Sequence, residues 1–191
     1  DRKMRYDGAY INRADPLEGR EKELFVHLGH SHFFEYREKG KRTAEEAQRL
    51  TQLGIEHFND PYAFYGRNPG VTAIVRTNDN HIIVGQRDVK QDLGMYAGLL
   101  QGAAGHINYQ ANPDDVDIKK DLRKEIREEM GIQPIHVKKL EFLGLYSNPA
   151  VAGDDLDFCF LADVQRPSTY FTQGAWKDKV KKAEHKEFFA L

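Results

Sequence analysis

The segment from residue 113 to residue 131 constrains the fold of this chain more than any other. Its apolar residues recur at the spacing of a helix that buries one side. These residues are Leu122, Ile126 and Met130. We predict a helix over residues 113–130 that packs its apolar side against a sheet, so the chain is expected to have an α/β fold.

Both ends of this helix carry residues that favour helix termini. Asn112 is predicted to be the N-cap, and Pro113 takes the first helical position, where the missing N–H costs nothing. Gly131 is predicted to end the helix, because glycine readily adopts the left-handed conformation found there.

Four runs rich in β-branched and aromatic residues lie on either side of the helix and are predicted to be strands. They are residues 71–75, 82–84, 140–146 and 156–164. Residues 77–80, with the sequence Thr-Asn-Asp-Asn, separate the first two runs and indicate a hairpin. Together these runs predict a mixed β-sheet.

The part of the chain before residue 67 has a different character. It is polar and aromatic, and it contains one probable helix, over residues 44–58. A capping box formed by Thr43 and Glu46 introduces this helix. We therefore predict an N-terminal arm of residues 1–66, whose helix packs on an α/β domain of residues 67–191.

Composition excludes several classes of function. The chain has 191 residues and a formal net charge of −2, so it lacks the basic patch expected of a protein that binds nucleic acid polymers. A free nucleotide is a better partner. No apolar stretch reaches the roughly 18 residues of a membrane span. The single cysteine, Cys159, excludes an internal disulfide and fits a reducing compartment, so we expect a cytoplasmic protein.

The predicted helix also carries a group of carboxylates. Glu125, Glu128 and Glu129 are spaced i, i+3 and i+4, which places them on one side of the helix, away from its apolar residues and toward a cleft. Carboxylate oxygens are the ligands that Mg²⁺ prefers, and Mg²⁺ usually completes its shell with water and substrate phosphates. The alternative interpretation is a solvated helix face, because Lys124 and Arg127 lie among the glutamates.

Residues 124–132 resemble the second half of the Nudix box, whose family pattern is G-x5-E-x7-R-E-U-x-E-E-x-G-U, with U an aliphatic residue. The matching residues are Glu125, Ile126, Glu128, Glu129, Gly131 and Ile132. Lys124 stands where the family has arginine. Residues 102–107 are similar to the family's strand and glycine turn. The resemblance implies a Nudix-type α/β/α sandwich with a mixed sheet, in which residues 67–191 form the Nudix domain.

The first half of the box departs from the family pattern. The interval from Gly105 to Lys124 is 19 residues, which is longer than the pattern has. Val116 occupies the position of the family's first glutamate. This departure leaves a second interpretation open, in which the chain is a catalytically weak, Nudix-like module that binds a nucleotide or a protein.

Short segments elsewhere resemble eukaryotic UDP-glucose and GDP-mannose diphosphatases. They are residues 28–32, 60–64, 105–106 and 148–153. This resemblance implies Mg²⁺-dependent hydrolysis of the pyrophosphate bond of a UDP- or GDP-sugar, which gives a nucleoside monophosphate and a sugar 1-phosphate. ADP-ribose and dinucleotides are the alternative substrates, and the family also implies a possible homodimer.

The resemblance assigns roles to individual residues. The metal ligands would be Glu125, Glu128, Glu129 and the carbonyl of Ala104, with Mg²⁺ as the cofactor and Mn²⁺ as a possible substitute. Lys124 would orient the glutamates. A carboxylate would accept the proton of the attacking water, and the alternatives are Glu125, Glu184 and Glu187. Four further residues are expected to contact the substrate, namely Arg87, His106, Asn148 and Asp154.

Overall fold

The computed structural model describes residues 2–12, 23–32, 42–88, 98–148, 155–180 and 184–191. These residues belong to two compact units. The first unit comprises residues 1–69, 107–116 and 147–156, and the second comprises residues 70–106, 117–146 and 157–191.

The first unit contains a β-hairpin and a helix. Strands β1 (Arg2–Asn12) and β2 (Glu23–His32) form a two-stranded antiparallel sheet. The hairpin was not predicted, because most of its residues are exposed on both faces and the sequence therefore lacks a clean alternation. Helix α1 (Ala44–Phe58) begins with the capping box between Thr43 and Glu46, and both predictions are confirmed.

The second unit is built around a seven-stranded sheet. Its strands are β3 (Gly70–Arg76), β4 (Ile82–Arg87), β5 (Leu100–Gln101), β6 (Ala103–His106), β7 (Val137–Asn148), β8 (Asp155–Val164) and β9 (His185–Ala190). The main strand order is β5-β4-β3-β8-β7, with β6 paired to β3 and β9 paired to β4. The β3–β8 pair is parallel, whereas β4 and β6 run antiparallel to β3. The predicted mixed α/β fold is thus confirmed.

The central helix, α2 (Ile118–Met130), starts five residues later than predicted. Asp117 is the N-cap, because its side chain accepts the Lys120 N–H at 2.9 Å. Asn112 accepts the Asp114 N–H at 3.3 Å instead, at a separate 3-10 turn over Pro113–Asp115. The predicted N-cap at Asn112 was therefore wrong. The predicted end is confirmed, since Gly131 has a φ of 70° and caps the helix.

Helix α2 packs on β3 and β6 through the apolar residues that the sequence indicates. Leu122, Ile126 and Met130 are all fully buried. A short helix, α3 (Ser168–Thr172), packs on β9. None of the helices in the described part of the chain has the length and apolar character needed to cross a membrane.

Candidate functional site

The site lies where the last turns of α2 meet β6. Glu129 is only 4% exposed, although the sequence predicts that all three glutamates face away from the apolar side. That prediction is wrong for Glu129. Its Oε2 atom accepts the backbone N–H of Ala104 at 3.0 Å. This hydrogen bond to the strand backbone fixes the carboxyl group at the edge of the sheet.

Glu125 lies against Gly105, one residue further along β6. A Cβ atom added to Gly105 would stand 2.4 Å from the Glu125 Cδ atom and 2.7 Å from its Oε1 atom. Real Cβ atoms do not approach other atoms so closely, so any side chain at position 105 would force the end of Glu125 to move from this position. The glycine of the predicted turn therefore serves to admit a glutamate from the helix.

Glu128 has a different environment from the other two glutamates. Its side chain is 48% exposed and lies 3.4 Å from the Arg127 guanidinium. Lys124 Nζ lies 3.5 Å from Glu125 Oε1 and 3.8 Å from Glu128 Oε2. Lys124 therefore contacts both glutamates, and the orienting role expected of it stays a prediction.

Burial changes the acidity of the two inner carboxyl groups. Desolvation raises the pKa of Glu125 to about 7, although the nearby Lys124 charge opposes the shift. Desolvation also raises the pKa of Glu129 to about 8, against the stabilising effect of the Ala104 N–H. The site therefore holds two carboxylates whose ionised forms are poorly compensated by the protein alone.

A second cluster adjoins Glu129 from the side of β4 and β9. Arg87 donates from Nη2 to Glu184 Oε2 at 3.2 Å and from Nη1 to Gln101 Oε1 at 3.0 Å. Glu184 is near enough to raise the pKa of Glu129 further. Sequence reasoning chose Arg87 for its position at a strand end, and the structure places it beside the carboxylates, already engaged by Glu184.

His185 was missed by the sequence analysis. Its side chain is completely buried, and Nε2 lies 3.5 Å from Glu129 Oε2. Neither ring nitrogen has a hydrogen-bond partner among the described residues. Burial lowers the pKa of His185 to about 4, so the ring is neutral. The available signal was a histidine close in sequence to the apolar pair Phe188 and Phe189 of β9.

The remaining predicted residues lie elsewhere or outside the description. Glu187 is half-exposed, with its carboxylate 3.9 Å from Lys186 Nζ. His106 ends β6 and pairs in register with Gly70. Asn148 is the last residue of β7, but its side chain, like the whole of Asp154, lies outside the described residues.

The donor atoms of the site suit a hard divalent cation. The raised pKa values of Glu125 and Glu129 show that Lys124 and Arg87 compensate the ionised carboxylates only in part, so a bound cation would stabilise the ionised forms. Over the described part of the chain, no three His, Cys, Asp or Glu side chains are already arranged as a metal-binding group. Water and substrate oxygens would therefore complete the shell, as Mg²⁺ often requires.

Comparison with known proteins gives a limited result. Neither a protein-family model nor a curated protein matches the chain. Among solved structures, a MutT protein from Methanosarcina mazei Go1 aligns at 17% identity and TM-score 0.44, covering 64% of this chain and 74% of that one. The Nudix domain of Shewanella oneidensis NrtR, complexed with ADP-ribose, aligns at 14% identity and TM-score 0.46, covering 73% and 80%.

A Nudix-family hydrolase from Clostridium perfringens aligns at 11% identity and TM-score 0.43, covering 65% of this chain and 81% of that one. Because every one of these TM-scores is below 0.5, the site itself carries the argument for function.

Proposed function

We propose that this protein is a metal-dependent hydrolase of the Nudix superfamily. It would cleave the pyrophosphate bond of a nucleoside diphosphate derivative, with a preference for a UDP- or GDP-sugar. The products would be a nucleoside monophosphate and a sugar 1-phosphate. A cytoplasmic location, which the single cysteine favours, and a homodimer, which the family resemblance implies, remain predictions.

One observation carries the proposal. Glu125 and Glu129 leave α2 one turn apart and both reach β6, where Glu129 accepts the Ala104 N–H and Glu125 fills the space beside Gly105. Burying two carboxylates at one place is unfavourable for stability alone, since desolvation penalises both charges. Strongly shifted carboxyl groups in one cluster are typical of functional sites.

The residues of this cluster would hold Mg²⁺ or Mn²⁺. Glu129 and Glu125 would provide carboxylate oxygens, and Glu128 would contribute from the exposed side of α2. In a β-strand the N–H and C=O of one residue leave the same edge, so the Ala104 carbonyl points toward the edge at which its N–H meets Glu129. When bound, the cation would neutralise phosphate charge and make its water more acidic.

A carboxylate must accept the proton that the attacking water loses as the new phosphorus–oxygen bond forms and the bridging oxygen leaves. Glu184 is favoured over Glu187 for this role, because Arg87 holds the Glu184 carboxylate 3.2 Å from its guanidinium and close to Glu129. Glu187 contacts Lys186 on the exposed side of β9.

The substrate class is the finer part of the proposal and rests on the sequence resemblance. Asn148 and Asp154 would contact the sugar, and His106, at the end of β6, would contact a phosphate. Arg87 would meet a phosphate only by giving up its contact with Gln101 or Glu184, so its first role is to position Glu184.

The test is release of nucleoside monophosphate from a panel of substrates. The panel comprises UDP-glucose, UDP-galactose, GDP-mannose, ADP-ribose and nucleoside triphosphates, each assayed with Mg²⁺ and with a chelator. We expect Mg²⁺-dependent turnover of a UDP- or GDP-sugar that is lost in Glu129→Gln. Glu141→Gln makes the same chemical change at an exposed position on β7 and should retain activity. Full activity of Glu129→Gln would refute the site assignment.

A second function remains open because of two specific features. Val116 replaces the first glutamate of the family pattern, and the Lys124 ammonium already lies near Glu125 and Glu128. A nucleotide-binding module would show affinity for a nucleotide that persists in chelator, together with no turnover of any member of the panel.

A further inference from the structure

The buried imidazole of His185 has a location that the proposed hydrolysis does not explain. The side chain is fully buried, and both nitrogens are without a hydrogen-bond partner among the described residues. Leaving a buried polar atom unsatisfied costs about 1–3 kcal/mol. Such an arrangement persists where another requirement, such as ligand binding, maintains it.

Neighbouring residues hold the imidazole of His185 so that one ring nitrogen faces Glu129. A Cβ atom on Gly85 would lie 2.5 Å from His185 Nδ1, so the ring occupies space that only glycine leaves on β4. The Phe188 ring flanks it, with the ring centroids 4.8 Å apart. The opposite nitrogen, Nε2, is the one that approaches Glu129 Oε2.

The distance between His185 Nε2 and Glu129 Oε2 distinguishes a direct hydrogen bond from coordination of one metal ion by both atoms. It is 3.5 Å, whereas N–H···O hydrogen bonds measure about 2.7–3.2 Å. Two donor atoms that each bind one cation at about 2.1 Å lie about 3.0–3.5 Å apart for angles between 90° and the tetrahedral value. The observed separation fits two ligands of one metal ion better than a direct hydrogen bond.

The lone pairs of Glu129 are consistent with this role. Oε2 uses one acceptor position for the Ala104 N–H, which approaches at 3.0 Å. A carboxylate oxygen has a second acceptor position. The charge of nearby Arg87 is offset by Glu184, 3.2 Å away, so it does not exclude a cation from this place.

We propose that His185 Nε2 and Glu129 Oε2 together bind a divalent first-row transition metal ion, such as Mn²⁺, which gives the site one nitrogen ligand. This inference rests on the proposed function, because it concerns the same carboxylate. It adds a ligand that the Nudix-like motif does not contain. An imidazole ligand favours transition metals over Mg²⁺, which prefers an all-oxygen shell.

Pulsed EPR of Mn²⁺ bound to the full chain, without nucleotide, tests the proposal. A coordinated imidazole produces a ¹⁴N hyperfine coupling that changes when the protein is labelled with ¹⁵N-histidine. We expect this coupling in the wild type and its loss in His185→Gln, which keeps a polar side chain of moderate size. The matched control is His106→Gln, which should keep the coupling. His185→Gln should also weaken Mn²⁺ binding by at least about tenfold and Mg²⁺ binding by less.

The outcomes separate this inference from the function on which it rests. If Mn²⁺ binds and depends on Glu129, but the wild type shows no histidine nitrogen, His185 is not a ligand and the proposed function stands. If the coupling survives in His185→Gln or disappears in His106→Gln, the assignment to His185 is overturned. If neither Mn²⁺ nor Mg²⁺ binds, the metal site of the proposed function fails as well. The wild-type spectrum decides the first case even if His185→Gln does not fold.

Discussion

Carboxylates at the two ends of β3 have opposite electrostatic environments. At the β6 end, Glu129 is buried and Glu125 partly buried, and desolvation raises their pKa values to about 8 and about 7. At the other end, Arg76 donates two hydrogen bonds, of 2.7 and 3.0 Å, to the carboxylate of Asp163. These bonds are the main reason why the pKa of Asp163 is lowered. The same chemical group is unfavourably placed at one end and well paired at the other.

This difference separates a functional arrangement from a structural one. Asp79 follows the structural pattern, because hydrogen bonds from Thr77 and Ser168 hold the pKa of its carboxyl group well below the usual range. A chain folded for stability alone would pair Glu129 in the same way. Glu129 is instead buried with too little positive charge around it to stabilise its ionised form, which is typical of a site that binds a ligand.

The largest expected effect comes from filling the space beside Glu125. In Gly105→Ala the new methyl group would displace the Glu125 carboxylate, since it would lie 2.4 Å from Cδ. We expect metal-dependent turnover and Mg²⁺ affinity to fall by about ten- to a hundredfold, as when the support of a metal ligand is lost. Glu141→Gln, at an exposed position on β7, is the control and should keep both turnover and Mg²⁺ affinity. Unchanged Mg²⁺ affinity in Gly105→Ala would contradict the role of Glu125.

The next effect concerns stability between pH 6.5 and pH 8 without metal. The pKa of Glu129 is near 4.5 in the unfolded chain and about 8 in the folded one, so its contribution to stability is lost as the pH rises through this range. The pKa of His185 is lowered to about 4, which has the opposite effect, but only below about 6.5.

We therefore expect the free energy of unfolding to fall by about 1–2 kcal/mol between pH 6.5 and pH 8. Urea titrations measure it, and Glu129→Gln should reduce the dependence to the part that Glu125 contributes, whereas Glu141→Gln should leave it unchanged. Saturating Mn²⁺ should oppose the fall, since it binds the ionised carboxylate. A wild-type stability that rises across this window would show that Glu129 is not destabilised.

A smaller effect is expected from Lys124, whose positive charge lowers the pKa of Glu125. In Lys124→Met that pKa should rise, so fewer molecules hold an ionised Glu125 at pH 7. We expect turnover to fall about two- to fivefold at pH 7 and to approach the wild-type value at pH 9, given that exposed charge pairs are weak. Lys124→Arg keeps the charge and should show a normal pH profile. A loss that is equal at both pH values would point to a purely structural role.

The smallest effect is expected at the paired end of β3. Asp163→Asn removes the ion pair with Arg76, whose side chains are 39% and 29% exposed, and leaves the α2–β6 site untouched. We expect unchanged turnover and Mg²⁺ affinity, with a slightly lower melting temperature at low salt. The difference in melting temperature should shrink in 1 M NaCl, because salt screens exposed charges. A change in Mg²⁺ affinity in Asp163→Asn would contradict the distinction between a functional end and a structural end of β3.

Much of the second unit could be predicted from local patterns. The strands, the hairpin at residues 77–80 and the end of α2 at Gly131 depend on neighbours in sequence, and the structure contains them. The start of α2 could not be predicted as well. Asn112 and Asp117 are both good caps, and the choice between them depended on a 3-10 turn that local propensity does not specify.

The candidate site was predicted in part for the same reason. Helical spacing grouped Glu125, Glu128 and Glu129, the resemblance to the Nudix box favoured a metal site over a solvated face, and Gly105 was marked as part of a glycine turn. Spacing could not tell that Glu129 is buried and Glu128 exposed, because both lie about one helical turn from Glu125. It also gave no indication of His185, which is 56 residues from Glu129 in sequence.

The sequence by itself determined the elements and the carboxylates of α2, because hydrophobic periodicity, capping residues and i, i+4 spacing act over a few residues. Only the tertiary structure decided which groups meet. The packing of α2 on β6 set the burial of Glu129, and the pairing of β9 with β4 brought Glu184 and His185 to it. Burial and long-range strand pairing are properties of the packed chain, and they determine the acidity of Glu129 and the atoms that a bound metal ion would contact.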